Sequence, residues 1–142
     1  MHRESCENLL TAWLKLSAVV RNERMVKYLS FREVFILNIL AHNEKDDFIT
    51  ATDIIEKTGM LKSQVNKVLT DLEEEGYITR EKDSVDKRRI RLAITKRGEE
   101  IYQKEHEGIL TILNKVCDEL GEKRIDTFVS EIYSIVDAIE AI

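Results

Sequence analysis

Lys62-Ser63-Gln64-Val65-Asn66-Lys67-Val68-Leu69-Thr70-Asp71-Leu72-Glu73-Glu74-Glu75, closed by Gly76 and followed by Tyr77-Ile78-Thr79-Arg80-Glu81-Lys82, decides the architecture of this chain. Val65, Val68, Leu69 and Leu72 stand at i, i+3, i+4 and i+7, which predicts a helix with one apolar stripe. Ser63, Lys67 and Thr70 occupy the opposite face, with Gln64 and Asn66 on its flanks. Gly76 supplies the stop. Residues 77–82 then read as a strand and Asp83-Ser84-Val85-Asp86 as its turn. Arg89-Ile90-Arg91-Leu92-Ala93-Ile94 reads as the return strand, with Ile90, Leu92 and Ile94 on its buried face.

Upstream, Thr50-Ala51-Thr52-Asp53 has the form of a capping box and opens a short helix that Gly59 ends. Ser30-Phe31-Arg32-Glu33 is another such box; its helix, through about Ala41, is apolar on most sides and should be the buried centre. Leu9, Leu10, Trp13, Leu14, Leu16 and Val20 predict a first amphipathic helix from about Ser5 to Glu23. Two short helices followed by a hairpin of this size make a winged helix-turn-helix. The fold class is therefore mainly α with a small β-hairpin wing.

Downstream, Thr95 begins a long helix that ends at Gly121, and a last one runs from Glu122 to Ile142. About 25 residues of helix span about 37 Å, more than a small winged-helix core covers. The terminal segments of a second copy are the simplest partner for the overhanging stripe. The expected organisation is a single domain over 1–142, with a winged-helix lobe at about 31–95 and dimerisation helices at about 1–25 and 96–142.

Composition narrows the function. The chain has 142 residues, 43% of them hydrophobic, and no proline, which fits one domain of uninterrupted helices. No apolar run reaches the ~20 residues of a membrane span. The N-terminus lacks a signal-peptide layout, so a cytoplasmic protein with no membrane partner is expected. Cys6 and Cys117 lie too far apart to suggest a disulfide framework. Charge is uneven: residues 80–97 hold eight Lys/Arg against three acids, a balance of +5 in a chain of net −5. A polyanion would be drawn to this strip and repelled elsewhere.

Leu61 through Leu69, Leu72-Glu73-Glu74-Glu75-Gly76-Tyr77-Ile78, Asp86-Lys87-Arg88 and Leu92-Ala93-Ile94-Thr95-Lys96-Arg97-Gly98 together resemble the MarR family of winged-helix transcription regulators. The Asp-x-Arg wing at a fixed distance from the Thr-x-x-Gly helix start is the most specific part. The resemblance implies a symmetric homodimer on double-stranded DNA, with recognition helices in successive major grooves and wing arginines reaching the minor groove. It casts Asp86 as the orienting partner of Arg88, and it leaves room for a small-molecule effector. Two positions depart from the pattern. Ser84-Val85 stands where many relatives carry a proline before the wing aspartate, which favours a mobile tip. Leu61 offers no side-chain cap, which leaves Lys62 to be held by a phosphate.

The candidate DNA-binding residues are Lys62, Ser63, Gln64, Asn66 and Lys67 on the helix, and Asp86, Lys87, Arg88 and Arg89 on the wing. Gln and Asn suit adenine edges. Arg88 suits the deep negative potential of a narrow minor groove, with Lys87 and Arg89 on flanking phosphates; Arg91 ranks second. Acids at 71 and 73–75 would repel phosphate, so the N-terminal half of the helix must be the end that approaches DNA. Against this stand plainer explanations, a solvated helix face and a charged hairpin that keeps a sheet edge from aggregating.

No catalytic constellation, cofactor motif or metal-ligand spacing stands out, so a non-enzymatic repressor without cofactor or metal is expected. Cys6 lies roughly where peroxide-sensing relatives carry a reactive cysteine, but Glu4 and Glu7 beside it disfavour a thiolate. Cys117 should be core. His42 and His106 could approach one another, but no His-x-x-x-His or Cys/His cluster is there to hold zinc, so solvated histidines are the default. Trp13, Tyr28 and Tyr102 could line an effector pocket but are more often plain packing, so effector residues stay unassigned. The rival functions are a peroxide switch on Cys6, a winged-helix protein-interaction module, and a purely structural helical dimer.

Overall fold

The computed structural model describes residues 1–21, 25–44 and 47–142. Its elements are α1 (Arg3–Val20), α2 (Phe31–Ala41), α3 (Ala51–Thr58), α4 (Lys62–Glu74), β1 (Ile78–Lys82), β2 (Ile90–Ile94), α5 (Lys96–Leu120) and α6 (Glu122–Glu140). The expected end of the first helix at Glu23 lies outside the described residues; α1 itself closes at Val20. The chain divides into two compact units, residues 1–108 and 109–142.

The first unit holds the core. Ile36, Leu37 and Leu40 of α2 pack with Ile54 of α3, with Val65, Val68, Leu69 and Leu72 of α4, with Ile78 and Leu92 of the hairpin and with Tyr102 of α5. The apolar stripe of α4 is thus buried as the spacing predicts. Both capping boxes form: Glu33 N reaches Ser30 Oγ while Ser30 N donates to Glu33, and Thr50 and Asp53 do likewise. Each satisfies amides that the first helical turn leaves without partners.

α4 ends in a Schellman turn. Gly76 takes φ +77, its N–H donates to the Glu73 carbonyl at 3.0 Å, and the Tyr77 N–H donates to the Leu72 carbonyl at 2.9 Å. That turn aims the chain into β1, which pairs antiparallel with β2 in the register Ile78↔Ile94 through Lys82↔Ile90. The Leu92 N–H also donates to the Ile49 carbonyl at 2.8 Å, tying the hairpin to the segment before α3.

The Thr-x-x-Gly signature has a physical basis. Thr95 Oγ1 donates to the Gly76 carbonyl at 2.7 Å and accepts from Gly98 N–H at 3.0 Å, so it caps α5 and holds it to the turn after α4. A side chain at Gly98 would place a Cβ 2.1 Å from the Tyr77 carbonyl oxygen, so only glycine fits there.

Three expectations need correction. Ile90 is 40% exposed rather than buried. It pairs with Lys82 at the turn end of the hairpin, beyond the reach of the helices that cover Leu92 and Ile94. Cys117 is only half-buried, because the segment around it exposes Leu113, Val116 and Leu120 and forms no closed core. His106 is half-buried rather than freely solvated, since the Tyr102 ring stacks on it.

In the second unit, the C-terminal half of α5 turns at Gly121 into α6, which has no buried residue. Leu110, Leu113, Val116, Phe128, Val129, Ile132, Tyr133 and Val136 are all exposed by more than a third. α1 likewise buries nothing and exposes Leu9, Leu10, Trp13 and Leu14.

Candidate nucleic-acid interface

Helix α4 presents Lys62, Ser63, Asn66, Lys67 and Thr70 to solvent, on the side away from its buried stripe. Gln64 is half-buried, and its Oε1 accepts from the Leu61 N–H at 3.1 Å. This is half of a capping box, made without the hydroxyl that Leu61 lacks, and it spends the Gln64 carbonyl on the helix start. Its amide NH2 is the group left to meet a base. Lys67 Nζ lies 3.5 Å from Asp71 Oδ2, both well exposed; such a pair is weak and easily exchanged for a phosphate.

In the wing, Asp86 is the organising residue. Its Oδ1 accepts from both the Arg88 N–H at 3.1 Å and Arg88 Nε at 3.3 Å, and its backbone carbonyl accepts from Arg89 N–H at 3.0 Å. The carboxylate thus fixes the backbone and the base of the guanidinium while the Arg88 side chain stays 92% exposed. A second bond, Asp83 N–H to the Arg89 carbonyl at 2.9 Å, closes the turn. The tip has internal bonds even without the family's proline.

Arg89 has a partner that its sequence position does not reveal. Its guanidinium carbon stands 4.3 Å above the centre of the Phe48 ring, a cation–π contact to the segment leading into α3. Residues 50–53 and 88–90 line the open cleft beside it. Lys87 is exposed, and Arg91 is half-buried.

Two further features were missed from sequence. Arg80 of β1 reaches back to α4, with Nη2 at 2.8 Å and Nε at 3.2 Å from Glu73 Oε1, and with Nη2 at 3.3 Å from Thr70 Oγ1. The side-chain hydrogen bond from Arg80 holds the Glu73 carboxyl below its usual range. Glu105 of α5 is 2% exposed, and its carboxylate accepts from the N–H groups of Lys27, Tyr28 and Leu29 at 2.7–3.0 Å. It pins the loop that feeds α2. A lone Glu in an amphipathic helix gives no sign of such a use.

The other candidate groups are positioned as follows. Tyr102 is buried, donates its hydroxyl to Asn38 Oδ1 at 2.5 Å, stacks on His106 and meets the edge of His42. Burial pushes its hydroxyl pKa up. His42 and His106 therefore share Tyr102 as a neighbour, and among the described residues no group of three or more His, Cys, Asp or Glu is arranged to hold a metal. Tyr28 stands exposed between the ammonium groups of Lys27 and Lys104, and Trp13 is exposed on α1. Cys6 is exposed, beside the Arg3–Glu7 ion pair. No helix among the described residues is long and apolar enough to cross a membrane.

A helix-turn-helix whose second helix turns a polar face outward, joined to a cationic two-stranded wing, defines the class as a winged-helix regulator. Residues 29–89 match the MarR family profile. The HTH-type transcriptional regulator FarR of Neisseria gonorrhoeae is 28% identical over 109 residues, covering 75% of this chain and 73% of that protein. The fold is shared with the transcriptional regulator BldR of Sulfolobus solfataricus, with a TM-score of 0.81, 16% identity, and coverage of 97% of this chain and 99% of that one. It is also shared with the transcriptional repressor CouR bound to a 23-mer DNA duplex, with a TM-score of 0.79, 21% identity, and coverage of 96% and 98%. Through residues 29–89 the chain is thus similar to MarR-family transcriptional regulators.

Proposed function

We propose that the chain is a cytoplasmic repressor that binds a pseudo-palindromic operator in double-stranded DNA as a homodimer. The N-terminal half of α4 enters the major groove. There Ser63, Asn66 and the Gln64 amide meet base edges, while Lys62 and Lys67 meet phosphates. Arg88 enters the adjoining minor groove, oriented by Asp86, with Lys87 on the flanking backbone and Arg89 contributing from its place against Phe48. The two recognition helices of the dimer stand about 34 Å apart to meet successive half-sites. The apolar side chains left exposed on α1, and separately those in residues 109–142, support self-association. A small-molecule effector releases DNA by binding better to an arrangement with a different half-site spacing. Nothing in this mechanism calls for catalysis.

The observation that carries the reading is the Asp86–Arg88 pair, whose carboxylate is engaged at the base of the guanidinium while the rest of it projects from the wing. The test is binding to a duplex from the protein's own upstream region against a random duplex, measured by fluorescence anisotropy at several salt concentrations. Tight, selective binding is expected, with log K falling by several units per decade of salt, about 0.9 for each phosphate neutralised. Equal, salt-insensitive affinity for both duplexes would favour the protein-interaction module instead.

A further inference from the structure

We infer that Arg80 is a positioning residue which, through Glu73 and Thr70, locks the wing to the recognition helix so that both reach DNA in one fixed geometry. The inference rests on the DNA-binding reading above and adds a residue to it. Arg80 lies on β1, which leads into the cationic turn, yet its guanidinium points back to α4 rather than out toward the polyanion.

Its three contacts all fall on the exposed side of α4. Nη2 and Nε converge on Glu73 Oε1, and Nη2 also meets the Thr70 hydroxyl. Thr70 in turn donates to the Asn66 carbonyl at 2.9 Å, one turn nearer the end that would face bases. The bridge therefore runs from the wing strand across the second half of the helix to the turn bearing Asn66. A planar guanidinium that gives its Nε–Nη2 edge to one carboxylate oxygen and shares Nη2 with a hydroxyl is fixed in direction as well as distance. The side chains of Arg80 and Glu73 are 28% and 41% exposed, so the pair is only partly screened by water.

The bridge also accounts for an acid where simple electrostatics disfavours one. Glu73 sits at the C-terminal end of α4, opposing the helix dipole, on the same helix whose N-terminal half approaches phosphate. As a bystander it would weaken DNA binding. As the anchor of Arg80 it is needed for binding. The two roles predict opposite signs for the same substitution.

The experiment compares wild type, Glu73→Gln and Arg80→Lys on the upstream-region duplex and on a random duplex, with melting temperature and oligomeric state as controls. Coupling predicts that Glu73→Gln, although it removes a negative charge, weakens specific binding about tenfold and leaves random-duplex affinity within about twofold. Arg80→Lys keeps the charge but loses the fork, so it should show the same pattern with an unchanged salt slope. A double variant should cost no more than either single one if the residues act as a unit. Unchanged or tighter specific binding by Glu73→Gln would overturn the inference, as would a salt slope lowered by Arg80→Lys. A wild type that fails to distinguish the two duplexes removes the DNA-binding reading and the coupling together. Wild-type selectivity with an indifferent Glu73→Gln removes the coupling alone.

Discussion

The winged-helix lobe and the terminal segments are built from similar amphipathic helices, yet they use their apolar faces differently. Four residues of α4 are buried, and those of α2, α3 and the hairpin close around them. α1 and α6 bury none, and the last buried residue of α5 is Glu105, fifteen residues before the helix ends at Leu120. Both regions satisfy their backbones locally as helices do, so the contrast lies in side-chain burial, the main favourable term in folding. The lobe carries its own core. The apolar faces of α1 and of α6 stay open in the single chain.

The contrast can be broken by three substitutions, in decreasing order of expected effect. Leu72→Ala, at a fully buried site in the lobe, should destabilise the fold by about 2–5 kcal/mol, read as a lower denaturant midpoint. A loss of only a few tenths would mean that the lobe core is not the stabilising centre. Ile132→Glu, on the exposed face of α6, should leave the lobe folded but raise the dimer dissociation constant about a hundredfold, about 2.7 kcal/mol. Sedimentation at micromolar protein would show monomer; an unchanged dimer would remove that face from self-association. Glu105→Gln replaces a carboxylate facing three N–H donors with an amide that turns one donor toward donors, and should cost about 1–3 kcal/mol. Amide exchange of Lys27, Tyr28 and Leu29 should quicken before that of α2. Equal protection in both would show that Glu105 does not hold the loop.

What could be read from the sequence was what nearby residues decide. The two capping boxes, the Gly59 and Gly76 stops, the α4 stripe and the β1–β2 hairpin all depend on spacings of a few residues. The candidate site divides in the same way. The exposure of Lys62, Ser63, Asn66 and Lys67 follows from helical periodicity, and the Asp86–Arg88 contact spans two positions. The long-range uses were hidden. Glu105 meets amides 76–78 residues away, and Arg89 finds Phe48 across the fold. Arg80 reads as one more cation in a basic strip until the hairpin folds it against Thr70 and Glu73. Alternation along a strand placed Ile90 inside, because periodicity gives the face of a strand but not how far the covering helices extend.

The central claim is that the exposed Arg88 guanidinium reads DNA rather than decorating a hairpin. Its most direct test is the affinity of Arg88→Ala for the upstream-region duplex, alongside melting temperature and dimer mass. Binding weaker by about tenfold or more, with fold and assembly unchanged, is the predicted result. Wild-type affinity in a folded, dimeric Arg88→Ala would contradict it and take the wing out of recognition.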